Sequence, residues 1–170
     1  SFAVHPNMCS HTRVTMSLGQ GTIYSMSTWQ KINMKSSTKA ELVGVNDAMY
    51  SIILTHSFLQ GQGIMVTDNV VYQDNQSAIL LEKNGKASSS KRTKHIAVRY
   101  FFITNRIQMG EAGIEWCPTE DMVADFMTKP LQGSTFTRFR DLIMGAVSMK
   151  DMVRKPRGKA VKSGSGVGEL

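Results

Sequence analysis

Val71-Tyr72-Gln73-Asp74-Asn75-Gln76-Ser77-Ala78 is the stretch that decides how this chain folds. A β-branched and aromatic run leads straight into an acid, and a helix is expected to begin immediately after it. The stretch therefore predicts a strand-to-helix junction with Asp74 at the carboxyl edge of a sheet, where α/β proteins keep their chemistry. Two further acids, Glu41 and Asp125, fall on predicted helices far away in sequence. One divalent-metal site built from all three is the leading expectation. Residues 1–40, by contrast, contain no Asp or Glu.

Upstream of the junction, Thr12 to Leu18 and Thr22 to Trp29 alternate apolar and polar residues around Gly19-Gln20-Gly21, which predicts a hairpin over residues 12–30. Thr38 with Glu41 three residues later fits a capping box and so a helix start. Val45, Met49, Ile52, Ile53 and Leu59 carry that helix to a stop at Gly61-Gln62-Gly63. The central strand is expected over residues 64–73 and a short helix from Ser77 to Lys83. Next come a loop at Ala87-Ser88-Ser89-Ser90, a basic helix from about Thr93 to Met109, and a strand from Gly113 to Cys117. Thr119-Glu120-Asp121 opens a helix that carries Asp125 and ends at Pro130. A last amphipathic helix uses Phe136, Phe139, Leu142 and Ile143. This order predicts an α/β domain over residues 1–147, a mixed sheet flanked by helices. Residues 148–170 turn to Lys, Gly and Ser, which predicts a disordered basic tail.

Composition narrows the function classes. With 170 residues and 41% hydrophobic content, the chain fits one ordinary domain that buries a core. No apolar run approaches the roughly 18 residues that span a bilayer, and no signal peptide is visible, so no membrane partner is expected. Cys9 and Cys117 lack metal-type spacing and read as reduced thiols of an intracellular protein. The net charge is +7, and it is clustered. Lys86, Lys91, Arg92, Lys94, Arg99 and Arg106 lie in a stretch without a single acid, interleaved with Tyr100, Phe101 and Phe102. Such clustering is the footprint of phosphate-backbone binding, or alternatively of a solvated helix face.

Each carboxylate also has an ordinary reading. Glu41 serves as the capping-box acid, Asp74 as the N-cap of the short helix, and Asp125 as a surface helix charge, with Asp121 one turn earlier as its rival. His95 either meets a phosphate or caps its helix. Other chemistries lack their motifs. The four histidines do not pair with the cysteines in zinc-finger spacing. Neither Gly-rich turn has the third glycine of a dinucleotide loop or a Walker lysine, and no nucleophile elbow occurs.

Five ordered blocks carry a family likeness: Ser36 to Val43, Tyr72 to Ala78, Lys91 to Ile96, Arg99 to Phe102, and Pro118 to Leu131 with its Ala124-Asp125-Phe126-Met127-Thr128-Lys129-Pro130-Leu131 ending. Together they resemble the ribonuclease H domain of copia-type retrotransposon polyproteins, over about residues 1–145. The resemblance implies a ribonuclease H-like fold with a five-stranded mixed sheet. It also implies Mg²⁺- or Mn²⁺-dependent cleavage of the RNA strand of RNA–DNA hybrids during reverse transcription. Glu41, Asp74 and Asp125 match three of the family's four carboxylates, as catalytic and metal-binding residues. Lys91, Arg92, Lys94, His95 and Arg99 would lie against the hybrid, held mostly by phosphate and sugar contacts, with RNA told from DNA by its 2′-OH. The reverse transcriptase domain of the same polyprotein is the implied protein partner. A virus-like particle in the cytoplasm, or the nucleus, is the implied location.

The departures from the family are specific. Its first carboxylate, an Asp on the opening strand, would fall just ahead of Ser1-Phe2-Ala3-Val4-His5, and no acid before Glu41 replaces it. Lys39 stands where the family usually has Glu, and Pro118-Thr119 occupies the approach where cellular members carry a loop His. Little or no hydrolysis is therefore expected of this chain. The alternative expectation is a non-catalytic nucleic-acid-binding remnant of a retroelement polyprotein. An integrase core shares the fold type but lacks the Thr128-Lys129-Pro130-Leu131 ending.

Overall fold

A computed structural model of the chain describes residues 9–31, 34, 36–84 and 94–149, with the side chains of residues 94–97 outside the description. The alternating segments form an antiparallel hairpin of β1 (His11–Met16) and β2 (Tyr24–Trp29), in a register that runs from His11 opposite Trp29 to Met16 opposite Tyr24. Its connection is wider than the three-residue turn expected from the glycines, because pairing stops at Met16 and Tyr24.

That wide loop is tied down from the other end of the chain. Thr22 N donates to Ile143 O at 2.9 Å, Gln20 Nε2 to Gly145 O at 3.0 Å, and Met149 N to Gly19 O at 3.1 Å. Gly21 (φ 68°) and Gly145 (φ 78°) stack backbone on backbone, so that a Cβ on either would lie 3.3 Å from the other's Cα. Both positions need a residue that tolerates left-handed φ and presents no side chain. Gly145→Ala is accordingly expected to lower folding stability by about 1–2 kcal/mol, read from a urea melt; an unchanged midpoint would show that the two segments are not locked together. Ser148 and Met149 belong to this lock, so the folded part reaches beyond the expected boundary at residue 147. The remainder of the expected tail lies outside the described residues.

Helix α1 (Ser37–Gly61) buries Ala40, Leu42, Val43, Val45, Ala48 and Met49, all in its first half. Its second half leaves Tyr50, Leu54 and Phe58 exposed along one line at helical spacing. Strand β3 is shorter than expected, Val70–Gln73, and pairs in parallel with β4 (Gly113–Trp116). Residues 64–69 stay out of the ladder because β4 offers a partner only four residues long. Asn69 closes its lower end, accepting from Gly113 N at 2.7 Å and donating from its side chain to Glu111 O at 2.6 Å.

Helices α2 (Gln76–Asn84) and α3 (Lys94–Gln108) complete this half. Leu42, Val43, Met49, Ile79, Tyr100, Ile103 and Ile114 form its core. The expected helix around Asp125 is instead two 3₁₀ turns, Thr119–Asp121 and Val123–Met127. Met122 between them is extended, and an extended residue interrupts helical hydrogen bonding. Helix α4 (Gly133–Ile143) buries Phe139 and Leu142 against Val123 in a second, smaller core.

The architecture is thus mixed α/β. Among the described residues the strands form two two-stranded sheets, one antiparallel and one parallel. The expected opening strand at residues 1–5 lies outside the described residues. No described helix is long and apolar enough to cross a membrane.

Candidate functional site

Local capping chemistry decides where two of the three acids point. Helix α1 is capped by Ser36, in extended backbone (φ −157°, ψ 152°), whose Oγ accepts from Lys39 N at 3.4 Å. The cap therefore lies two residues before Thr38, and Glu41 is not the capping-box acid. Helix α2 is capped by Asn75, whose Oδ1 accepts from Ala78 N at 3.1 Å. The cap duty expected of Asp74 thus falls to its neighbour. Ser and Asn are both good caps, so each relieves the acid beside it of a purely structural task.

Glu41 and Asp74 meet in one open cleft of about 380 Å³, lined by Ser37, Glu41, Asp74, Asn75, Gln76 and Ser77. The first residue of α1 and the first two of α2 form its walls, so the starts of both helices border the cleft beside the two carboxylates. Thr119 Oγ1 reaches Asp74 Oδ2 at 3.4 Å across from the end of β4. The sequence places Thr119 at a helix start and in the approach to the last acid, but gives no sign of this contact with Asp74.

The surroundings of the cleft are acidic. The Cys117 thiol is pushed up to about 11, chiefly by burial, with Asp121, Asp74 and Glu120 adding and Arg138 opposing. It stays a neutral thiol at physiological pH and offers no nucleophile. Cys9 and Cys117 are not joined in a disulfide. On α2, Glu82 is pushed up to about 8, chiefly by burial, with Gln73 opposing and Glu41 adding. Nothing in the sequence marked Glu82, which on a short surface helix reads as a solvated charge.

Asp125 is placed differently. It is 3% exposed and does not line the cleft. Arg13 Nη2 pairs with its Oδ1 at 2.7 Å, and Lys129 Nζ pairs with its Oδ2. Arg13 also donates to Thr128 Oγ1 at 2.6 Å. The rival Asp121 is held by Arg138 at 2.7 Å. Among the described residues, no group of three or more His, Cys, Asp and Glu side chains stands close enough to hold a metal ion. A magnesium pair asks for carboxylates converging on one point. The described side chains bring two acids together and commit the third to two cations, so they do not fit such a pair.

Of the expected nucleic-acid contacts, Lys91 and Arg92 lie outside the described residues, and only the backbone of Lys94 and His95 is described, in the first turn of α3. Arg99 is half-buried on the same helix, and its Nη1 has no hydrogen-bond partner. Arg106 is turned to other work: it pairs with Glu111 at 2.9 Å and lies over the Phe102 ring, 5.1 Å from its centroid.

No protein-family model matches the chain. Curated relatives do. It is 37% identical over 127 residues, 74% of its length, to the retrovirus-related Pol polyprotein from transposon RE1 of Arabidopsis thaliana. It is 32% identical over 137 residues, 81% of its length, to that from transposon TNT 1-94 of Nicotiana tabacum. To that from transposon RE2 of Arabidopsis thaliana it is 37% identical over 123 residues, 72% of its length. The aligned region makes up only 8%, 10% and 8% of these relatives, respectively. Over most of its length the chain is homologous to one segment of retrovirus-related Pol polyproteins from transposons, and it is a retroelement-derived region.

Proposed function

We propose that this chain is the ribonuclease H-type segment of a copia-type retrotransposon Pol polyprotein, and that it holds an RNA–DNA hybrid with little or no hydrolysis. The observation that carries the reading is the meeting of Glu41 and Asp74 in one cleft, at the end of a parallel strand, with the capping of both helices left to Ser36 and Asn75. An open cleft leaves room for an extended strand rather than enclosing a small molecule, and because its two carboxylates repel phosphate, the strand's charge must be met elsewhere. The cation-bearing α3 and the segment before it supply the opposite charge that a polyanion needs.

In an active member of such a family, Mg²⁺ or Mn²⁺ would activate water and stabilise the leaving oxygen. Asp125, closed into its ion pairs with Arg13 and Lys129, is not available to such a metal here. The same reading makes the reverse transcriptase part of the polyprotein the natural neighbour of this segment.

The test uses the 170-residue chain and a labelled RNA–DNA hybrid with Mg²⁺ or Mn²⁺. Retention of the hybrid is expected, with affinity falling on the order of a hundredfold between about 50 and 200 mM salt, as for about four phosphate contacts. Cleavage is expected at background. Robust turnover would overturn the non-hydrolytic part of the proposal, and absent or salt-insensitive binding would overturn the hybrid itself.

A further inference from the structure

Glu82 is fully buried on α2, and neither of its carboxyl oxygens has a hydrogen-bond partner. Next to it lies Gln73, the last residue of β3 and the neighbour of Asp74, itself 4% exposed with amide nitrogen and oxygen both unpartnered. The Gln73 amide favours the ionised carboxylate, yet no atom pair between the two side chains reaches hydrogen-bond geometry, so the compensation is incomplete. Buried polar groups in native structures are nearly always satisfied. Two neighbouring buried side chains without partners therefore call for a reason.

Among the described residues, the groups coupled to Glu82 include no cation, and Arg99, the half-buried cation of α3, is not one of them. From α1 the coupled group is Glu41, a like charge. From α3 it is Tyr100, while Thr104 Oγ1 donates only to the Glu82 backbone carbonyl, at 2.8 Å. From β3 it is the neutral Gln73 amide. Strand β4, also packed on α2, carries one titratable side chain, Glu115, and that is exposed. On α2 itself Lys83 is exposed to solvent. An unpaired carboxylate in such a setting is costly, and the group adopts its neutral form instead.

We infer that Glu82 is a proton-held positioning residue: as a neutral acid it seats α2 against the end of β3, and its deprotonation loosens the corner that carries Asp74 and Glu41. The device depends on the packing alone and holds whether or not the cleft meets a nucleic acid. Its sign follows from linkage. Burial raises the folded-state value from 4.5 to about 8. The stabilisation is therefore complete below the unfolded value and is lost as pH rises through the folded one.

The experiment is urea denaturation of the chain and of Glu82→Gln, a neutral side chain of the same shape, between about pH 5 and pH 9. In the parent chain the unfolding constant should rise by up to about tenfold per pH unit across the window. Glu82→Gln should remove that rise. Amide exchange of residues 73–78, corrected for intrinsic rates, should speed up above about pH 8 in the parent chain only. A carboxyl ¹³C titration of Glu82 in the parent chain gives a second readout if the variant folds poorly. An ordinary carboxylate midpoint, or a Glu82→Gln profile that tracks the parent's, would overturn the inference.

Discussion

Replacing Asp125 by Ala is expected to destabilise the chain by about 3–5 kcal/mol, the range for breaking a buried ion pair from one side. The magnitude comes from Arg13 rather than from Asp125 itself. The Arg13 side chain is 11% exposed, and its guanidinium pairs with Asp125 and donates to Thr128 Oγ1. Without the carboxylate, a positive charge stays buried between β1 and the 119–127 segment and loses the anion it pairs with at 2.7 Å. Lys129, 44% exposed, can turn to water and adds little. Exchanging both charged partners for apolar residues, as in Arg13→Met with Asp125→Leu, should recover most of the loss, because the desolvation cost disappears with the charges. Urea denaturation of the two single variants and the double variant measures the coupling directly. A cost below about 1 kcal/mol for Asp125→Ala would show that this carboxylate is not clamped. If Asp125 were a metal ligand, Mg²⁺ would raise the midpoint of the parent chain and fail to raise that of the variant. The ion pairs predict no such difference.

The clamp also shows what could be read in the linear sequence. Alternation at Thr12 to Met16 and Tyr24 to Trp29 was enough to place a hairpin, because a half-buried ladder repeats every two residues. The strand-to-helix junction at Asp74 and the long helix after Ser36 were legible for similar reasons. Their caps were not, since Ser36-Ser37-Thr38 and Asp74-Asn75 each offer adjacent side chains able to cap. Only the backbone angles and the hydrogen bonds to Lys39 N and Ala78 N choose between them. That choice mattered, because it turned Glu41 and Asp74 from helix-start residues into cleft residues. The ion pairing of Asp125 with Arg13 joins opposite ends of the chain and leaves no local pattern. The 3₁₀ turns between Pro118 and Pro130 carry too few residues for a period to emerge. Glu82 was invisible for the opposite reason: its local pattern, an acid near the end of a short helix, is that of a solvated side chain.

Phe139→Ala is the other change expected to cost about 3–5 kcal/mol, through lost transfer free energy and an unfilled cavity. Phe139 is almost wholly buried and has few companions: Val123 and Leu142 complete the buried set, with Phe126, Leu131, Ile143 and Met149 at its edge. Arg138 covers the ring at 5.0 Å, so the loss also removes a cation–π contact. With three buried residues among those described, this core cannot redistribute the defect as the larger cluster around Leu42, Met49 and Ile103 can. The damage should therefore stay local. Amide exchange in α4 and residues 119–127 should rise most, followed by the Gly19–Thr22 loop held through Ile143 O and Gly145. Ile103→Ala, in the larger cluster, should instead weaken α1 and α3 together. Because Asp125→Ala releases the same segment from its other side, the double variant with Phe139→Ala should cost less than the sum of the two. Strict additivity, or exchange spread evenly over the chain, would mean that the 3₁₀ turns and α4 do not dock as one unit on the hairpin.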